Sequence, residues 1–301
     1  MNNTQKAYLQ LHIAVFLFGF TAILGKLITL QEIALVWNRL WIAVLGLLLL
    51  PGVIREIKKI SWKKKMQFAG IGIIVAIHWI TFYGSIKIGN SASVTLACLA
   101  TASLFTSILE PLIIRSKFNW IELILGLLVI IGIYTLQGVG DFYHKAIIVG
   151  LVSALLAAVF SVLNKKLITG QNSIAVSVIE LSSGFIFISL TFPFLSSYLP
   201  QANWFPGSTD WAWLLLLGLA CTSLAYVLAM NALKELSAFV SNLSINLEPV
   251  YGIVLAIVLL HEDKDLNTDF YLGTAIILSA VILHPIILRI QKRKRMKVNH
   301  M

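Results

Sequence analysis

The chain has 301 residues, of which 58% are hydrophobic and only 12% are charged, and its formal net charge is +10. Soluble domains carry about 25% charged residues, so this composition excludes a water-soluble globular protein. The two cysteines, Cys98 and Cys221, both lie in apolar segments, which excludes a disulfide framework. We expect no cofactor and no metal site.

Apolar runs of about twenty residues recur along the chain, and a helix of that length crosses the hydrocarbon core of a bilayer. The first run continues to Ile28 without a cleavage signal, which predicts a retained span. Clusters of polar residues, glycine and proline divide the chain into ten predicted transmembrane helices. Their limits are 7–29, 33–53, 66–87, 91–114, 118–137, 144–167, 173–195, 210–233, 237–260 and 269–288. The predicted fold class is an all-α integral membrane protein.

Lysine and arginine placement predicts the orientation of these helices. If the N-terminus is cytoplasmic, eighteen of the basic residues flank the inner ends of the spans and four flank the outer ends. This asymmetry follows the positive-inside rule. Both termini are therefore predicted to be cytoplasmic in the cell membrane. The basic tail 291–301 is interpreted as a topology signal, with binding of anionic lipid as the alternative, and we expect no nucleic-acid partner.

The sequence also repeats itself. The segment Asn90–Leu109 aligns with Leu236–Leu255 at an offset of 146, and Glu32–Leu40 aligns with Ser173–Leu181 at an offset of 141. Gly25–Thr29 aligns with Lys165–Thr169 at an offset of 140. We interpret residues 1–140 and 141–290 as two five-helix repeats. Because five is odd, the second repeat would enter the bilayer inverted, which is typical of secondary transporters.

A carboxylic acid and a proline interrupt the ninth apolar run. Glu248 would lie about 16 Å into its span, near the midplane, with Asn246 close by. Pro249 removes a backbone donor and predicts a hinge. An ionisable residue at this depth usually faces a cavity or a partner. Two interpretations remain open for Glu248: a substrate-facing or proton-carrying acid, or a protonated clasp to a neighbouring helix.

Arg39 is the basic residue predicted to lie within a span, and its partner in the repeat is Glu180. The inversion would separate the two by roughly 11 Å in depth, so we expect no direct salt bridge. Arg39 could bind a substrate carboxylate through its two-pronged donors, or it could bind the exposed carbonyls at a helix end.

Histidine and aromatic residues complete the predicted substrate site. His78 and Trp79 form either a proton-sensitive cavity pair or ordinary packing. Tyr226 and Tyr251 either line a pocket for an amphipathic solute or anchor the helices at the membrane interface.

Enzyme motifs receive little support. Gly138–Asp141 fits the Gly-x-Gly-Asp signature of intramembrane aspartyl proteases, but no aspartate precedes Asp141 to complete a catalytic pair. The chain contains neither a zinc-hydrolase HExxH motif nor a phosphate-binding GxxxxGK[ST] loop. Any energy source would therefore be a gradient of solute or protons.

The chain resembles the EamA family of the drug/metabolite transporter superfamily over almost its whole length. Arg39, the paired segments Ser91–Val94 and Ser237–Val240, and the run Leu247–Glu262 carry the resemblance. Ser103 and Lys117 depart from the family pattern in the first half, where a proline and an acid are common. The resemblance implies ten helices around a central cavity, walled mainly by spans one to four and six to nine, and movement of small metabolites.

The function predicted from the sequence is alternating-access transport of small metabolites, with export of amino-acid-like or amphipathic solutes. Proton coupling is an open alternative to uniport. The competing hypotheses are an intramembrane enzyme that acts on lipid or peptide and a membrane scaffold that transports nothing.

Overall fold

A computed structural model describes residues 3–115, 121, 124–125, 128, 131–132, 134–135, 141–198, 204–235, 247–264 and 266–298. The first part is helical: α1 (Asn3–Leu27), α2 (Glu32–Leu48), α3 (Val53–Lys59), α4 (Trp62–Gly89), α5 (Ala92–Leu99) and α6 (Ala102–Ile114). The second part contains α7 (Asp141–Leu167), α8 (Ser173–Tyr198), α9 (Ser208–Leu215), a π-helix (Leu216–Leu224), α10 (Ala225–Glu235), α11 (Glu248–Leu260), a 3₁₀ turn (Glu262–Lys264) and α12 (Thr268–Val298). Most of the predicted fifth span, and residues 237–246 of the ninth, lie outside the described residues.

Six helical segments of the described chain are long and apolar enough to cross a membrane, or seven if α2 and α3 form one bent span. Helix α11 and the apolar part of α12 are shorter. Large apolar side chains on the long helices α7 and α8 are exposed on the outside of the molecule. Leu190 is 70% exposed and Ile148 is 63% exposed. Such an apolar exterior suits a surface covered by lipid.

The second predicted span ends earlier than the sequence suggests. Helix α2 stops at Leu48, and α3 leaves at 97° to it. The chain turns at Pro51 and Gly52, and Gly52 has φ +82°, a left-handed conformation that costs glycine little. The basic helix α3 therefore does not continue the direction of α2.

The internal repeat appears in the helix limits. Helix α6 (102–114) and helix α11 (248–260) begin and end at an offset of 146, and a residue with positive φ follows each, Arg115 or His261. Helix α4 and the unit α9–π–α10 also begin at that offset, at residues 62 and 208. Helices α2 and α8 begin at the offset of 141 found in the sequence. Corresponding helices therefore begin at corresponding positions of the two halves.

Packing between the halves is reciprocal. Helix α1 packs against α10 and α11, while its counterpart α7 packs against α4 and α6. Helix α2 packs against the π-helix, while its counterpart α8 packs against α4. Exchanging corresponding elements converts each of these pairs into another observed pair, as expected for two copies related by a two-fold axis.

Glu262 forms a clasp at one end of the molecule. Its carboxylate accepts hydrogen bonds from Lys26 Nζ (2.9 Å), Ser91 Oγ (3.0 Å), Ala92 N (2.8 Å) and Ser93 N (2.9 Å). An acid at the N-terminus of α5 satisfies orphan backbone donors and complements the helix dipole. The Glu262 clasp, formed by these five residues, therefore ties α1 and α5 of the first half to the end of α11.

The clasp predicts a pH-dependent stability. Burial raises the pKa of Glu262, but the hydrogen bonds from Ala92, Ser93 and Lys26 outweigh that effect and hold its pKa below the ordinary value of 4.5. A carboxyl group with a depressed pKa stabilises the fold above its ordinary pKa, and that contribution is lost as the pH falls. Glu262→Gln should therefore cost about 2 kcal/mol at neutral pH, a loss that shrinks below pH 4.5.

Thermal unfolding in detergent, from neutral pH to below pH 4.5, measures the loss of stability in Glu262→Gln. Glu56→Gln is the matched control, because Glu56 pairs with Lys59 on the exposed surface and should change little. A stability loss in Glu262→Gln that stayed constant with pH would contradict the ionic clasp.

Candidate functional site

Arg39 is a cation buried between the two halves. Only 2% of the residue is exposed. Its Nε donates to Thr222 Oγ1 of the π-helix (2.7 Å) and its Nη1 donates to Tyr83 Oη of α4 (2.8 Å). The guanidinium carbon lies 3.7 Å from the centre of the Trp79 ring. Arg39, Trp79, Tyr83 and Thr222 form what we term the Arg39 cage, in which hydrogen bonds and a cation–π contact offset the cost of burying the charge.

The π-helix explains why Thr222 reaches the cage. Thr222 Oγ1 donates to Leu217 O (2.7 Å) and Ser223 Oγ donates to Gly218 O (3.0 Å), both five residues back. These side chains accompany the wide turns, and π-helical turns occur frequently at functional sites. Neither the composition nor the spacing of residues in this segment predicts a π-helix.

Glu248 lies at the start of α11, with Pro249 in the first turn of the helix, where its missing N–H breaks no helical bond. Its carboxylate interacts electrostatically with Arg39. The two groups are not within ion-pair distance. Asn246, the predicted neighbour of Glu248, lies outside the described residues. Glu248 and Arg39 therefore share one electrostatic environment without neutralising each other directly.

His78 connects α4 to α7. Its Nδ1 lies 2.9 Å from both the carbonyl oxygen and the hydroxyl of Ser153, and its ring packs against Phe160 at 5.3 Å. Arg39 also acts electrostatically on His78. The histidine thus has specific packing contacts beside the cage.

The two predicted tyrosines lie in different surroundings. Tyr226 of α10 is buried, donates to Glu180 Oε2 (2.8 Å), and feels the charge of Arg39. Tyr251 of α11 packs edge-on against Phe16 of α1, with ring centres 6.3 Å apart. Of the predicted residues, Trp79 is in contact with Arg39. His78, Tyr226 and Glu248 lie close enough to interact with the charge of Arg39. Tyr251 instead packs against α1.

Glu180 was not among the predicted site residues, yet it forms the second buried polar centre. It has no exposed surface. Its Oε2 accepts from Tyr226 Oη and from Asn164 Nδ2 (3.2 Å). We term Glu180, Asn164 and Tyr226 the Glu180 pocket. The alignment of Glu180 with Arg39 was the feature of the sequence that could have indicated this site. Among the described residues, Glu180 and Arg39 do not form an ion pair, as expected from the sequence.

Glycine residues allow the helices that carry Arg39 and Glu180 to pack closely against the opposite repeat, at equivalent positions. A Cβ added to Gly72 of α4 would lie 2.0 Å from the carbonyl oxygen of Glu180, and one added to Gly218 of the π-helix would lie 3.5 Å from that of Arg39. Gly72 and Gly218 are themselves separated by 146 residues. The backbone of α8 therefore crosses α4, and the backbone of α2 crosses the π-helix, at positions that correspond in the two repeats.

The geometry defines a class of protein. The described helices surround buried polar groups at the contact between two repeats, as expected of a multi-pass membrane transporter, and no cluster of three or more metal-ligating His, Cys, Asp or Glu side chains occurs among the described residues. The chain belongs to the EamA-like transporter family, which it matches over residues 5–137 and 144–284.

Further comparisons address the fold alone. No curated protein matches the chain. Sixteen chains of solved structures match it. One of these, described only as the crystal structure of a protein, superposes with a TM-score of 0.65 at 14% identity and covers 95% of this chain and 98% of its own length. The arrangement of helices is therefore shared with a solved structure of very different sequence.

Proposed function

We propose that the protein is a secondary transporter that moves small metabolites by alternating access and exports amino-acid-like or amphipathic solutes across the cell membrane. Ten spans, with both termini cytoplasmic and the second repeat inverted, complete this proposal. The observation that carries it is the reciprocal packing of two repeats around the Arg39 cage and Glu248. Two similar halves that meet at a polar centre can exchange conformations and expose that centre to either side.

In this proposal the polar centre binds the solute. Arg39 has used Nε and Nη1 on protein acceptors, and its remaining N–H groups bind a carboxylate. Among the described residues no hydrogen-bond donor contacts the carboxylate of Glu248, so it accepts from the solute's amine. His78, Trp79, Tyr226, Asn246 and Tyr251 complete the binding region, and Pro249 is the hinge.

Counterflow in reconstituted vesicles tests the function. Vesicles loaded with an unlabelled amino acid should accumulate the labelled form transiently and without chemical change. A chemically altered solute would support the intramembrane enzyme instead. Absence of flux across a panel of amino acids and amphipathic solutes would support the scaffold.

The amine contact predicts the behaviour of one variant. Glu248→Gln should raise the half-saturating solute concentration about tenfold, the effect of losing one charge-assisted hydrogen bond. Counterflow at graded solute concentrations measures the change.

Glu110→Gln is the matched control. Glu110 also precedes a proline, but it pairs with Lys165. Equal half-saturating concentrations in the wild type and Glu248→Gln would rule out the contact between Glu248 and the amine.

A further inference from the structure

Two buried oxygen atoms in the Glu180 pocket have no hydrogen-bond partner. Glu180 Oε1 and Asn164 Oδ1 are both enclosed, and no donor contacts either among the described residues. The second polar atom of each group does have a partner, because Asn164 Nδ2 donates to Glu180 Oε2 at 3.2 Å. The pocket thus contains an amide and a carboxyl group with one hydrogen bond formed and one acceptor left over on each side.

A single proton on the carboxyl group of Glu180 would give both unpartnered oxygen atoms a hydrogen bond. An amide and a carboxylic acid can form a ring of two hydrogen bonds, in which the amide N–H donates to one carboxyl oxygen and the acid O–H donates to the amide oxygen. Only a protonated carboxyl group supplies the second donor. A proton on Oε1 would satisfy both orphan oxygens and remove a negative charge from the membrane interior, where an unpaired charge is costly.

The surrounding groups do not supply a compensating cation. Arg39, on the neighbouring α2, is held by Thr222 and Tyr83, and His78 of α4 is held by Ser153. The basic residues next to Asn164 on α7 are engaged elsewhere: Lys165 pairs with Glu110, and Lys166 donates to Ile113 O (3.1 Å).

Two packed elements remain around Glu180. Tyr226, on α10, is the titratable group in contact with Glu180 and donates a neutral hydrogen bond to Oε2. Helix α3 carries basic residues of which Lys59 pairs with Glu56, and none of them forms an ion pair with Glu180.

We propose that Glu180, held by Asn164 and Tyr226, is a proton-binding site, and that its proton is the one coupled to solute movement. The coupling rests on the proposed function. Proton binding forms an O–H bond at Oε1 and closes the ring to Asn164. Release to water breaks that bond and leaves a carboxylate that must reach a hydrated surface. The backbone of Glu180 lies against Gly72 of the opposite half, so this movement acts on the contact between the two repeats.

Infrared spectroscopy tests the proton site without any solute. The purified chain should show a carboxylic-acid carbonyl band that shifts in heavy water and is absent in Glu180→Gln. The ratio of protonated to ionised Glu180 should change about tenfold per pH unit. Glu110→Gln is the control and should retain the band. A spectrum identical in the wild type and Glu180→Gln at every pH would overturn the proposal, and so would a band that never titrates.

Transport by the same variant tests the coupling. Glutamine can form the same ring with Asn164 as the protonated acid, so Glu180→Gln should fold and should still catalyse counterflow. Its net flux should lose the response to a pH gradient that the wild type shows. A titrating band without any flux in the wild type would reject the proposed function and leave the proton site standing. An unchanged pH response in the variant would reject the coupling.

Discussion

Gly72→Ala is expected to destabilise the folded protein by about 3 kcal/mol or more. The added Cβ would lie 2.0 Å from the carbonyl oxygen and 2.6 Å from the carbonyl carbon of Glu180, and no side-chain rotation can move these backbone atoms away. Helices α4 and α8 would have to separate where the two halves pack. Overpacking in a core costs about 1–3 kcal/mol, and a clash with backbone lies at or above the top of that range. Size-exclusion chromatography and thermal unfolding in detergent measure the loss.

Gly70→Ala is the control for this prediction. Gly70 lies on the same helix, two residues earlier, and an added Cβ would meet nothing within 4 Å. The variant should remain monodisperse and at least as stable as the wild type, because alanine favours a helix over glycine by about 1 kcal/mol. If both variants behaved alike, the close crossing of α4 and α8 would be wrong.

Arg39→Lys is expected to give the largest loss of transport. Lysine keeps the charge but cannot donate to Thr222 and Tyr83 while lying flat against Trp79. Transport efficiency should fall about 100-fold for solutes with a free carboxylate, corresponding to roughly 3 kcal/mol. The matching amides should lose about tenfold at most, since they lack the ionic contact. Counterflow of each acid and its amide measures the difference.

The control for Arg39→Lys is the same substitution at Arg55. Arg55 lies exposed on α3, and its replacement by lysine should leave both solutes unaffected. Equal losses for acid and amide in Arg39→Lys would show that the guanidinium supports the structure and does not bind a carboxylate.

Local sequence predicts much of this architecture because membrane-spanning helices must be long and apolar. The offsets of 146 and 141 found by alignment reappear as the starts of α11, α9 and α8 relative to α6, α4 and α2. Each repeat places its apolar runs and polar breaks in the same order, so the order of these helices and where they begin follow from the local sequence.

The break in the fourth span of the first repeat shows where a local rule is insufficient. Proline was the reason to expect an interruption at Glu248, yet α5 and α6 are interrupted at Ala100 and Thr101 without one. There Thr101 Oγ1 donates to Cys98 O at 2.7 Å and supports the turn. A proline is therefore not needed for this break. After it, α6 begins at the position that corresponds to the start of α11 in the second repeat.

The same tripeptide has two different surroundings. Leu-Glu-Pro occurs at 109–111 and at 247–249. In the first, α6 continues through Pro111 and Glu110 pairs with Lys165; in the second, α11 begins at Glu248, whose charge acts on Arg39. Neighbours from other helices account for the difference, and they are distant in the sequence.

From residues alone, the chain could be assigned its membrane class, its repeat and the buried position of Arg39, because hydrophobicity and periodicity are properties of short segments. The cage around Arg39, the π-helix that brings Thr222 to it, and the pocket around Glu180 all required the folded chain. Each depends on side chains from different helices, which in the case of Arg39 and Thr222 are 183 residues apart. A buried charge is stabilised by whichever groups packing brings beside it, and packing is a property of the whole assembly of helices.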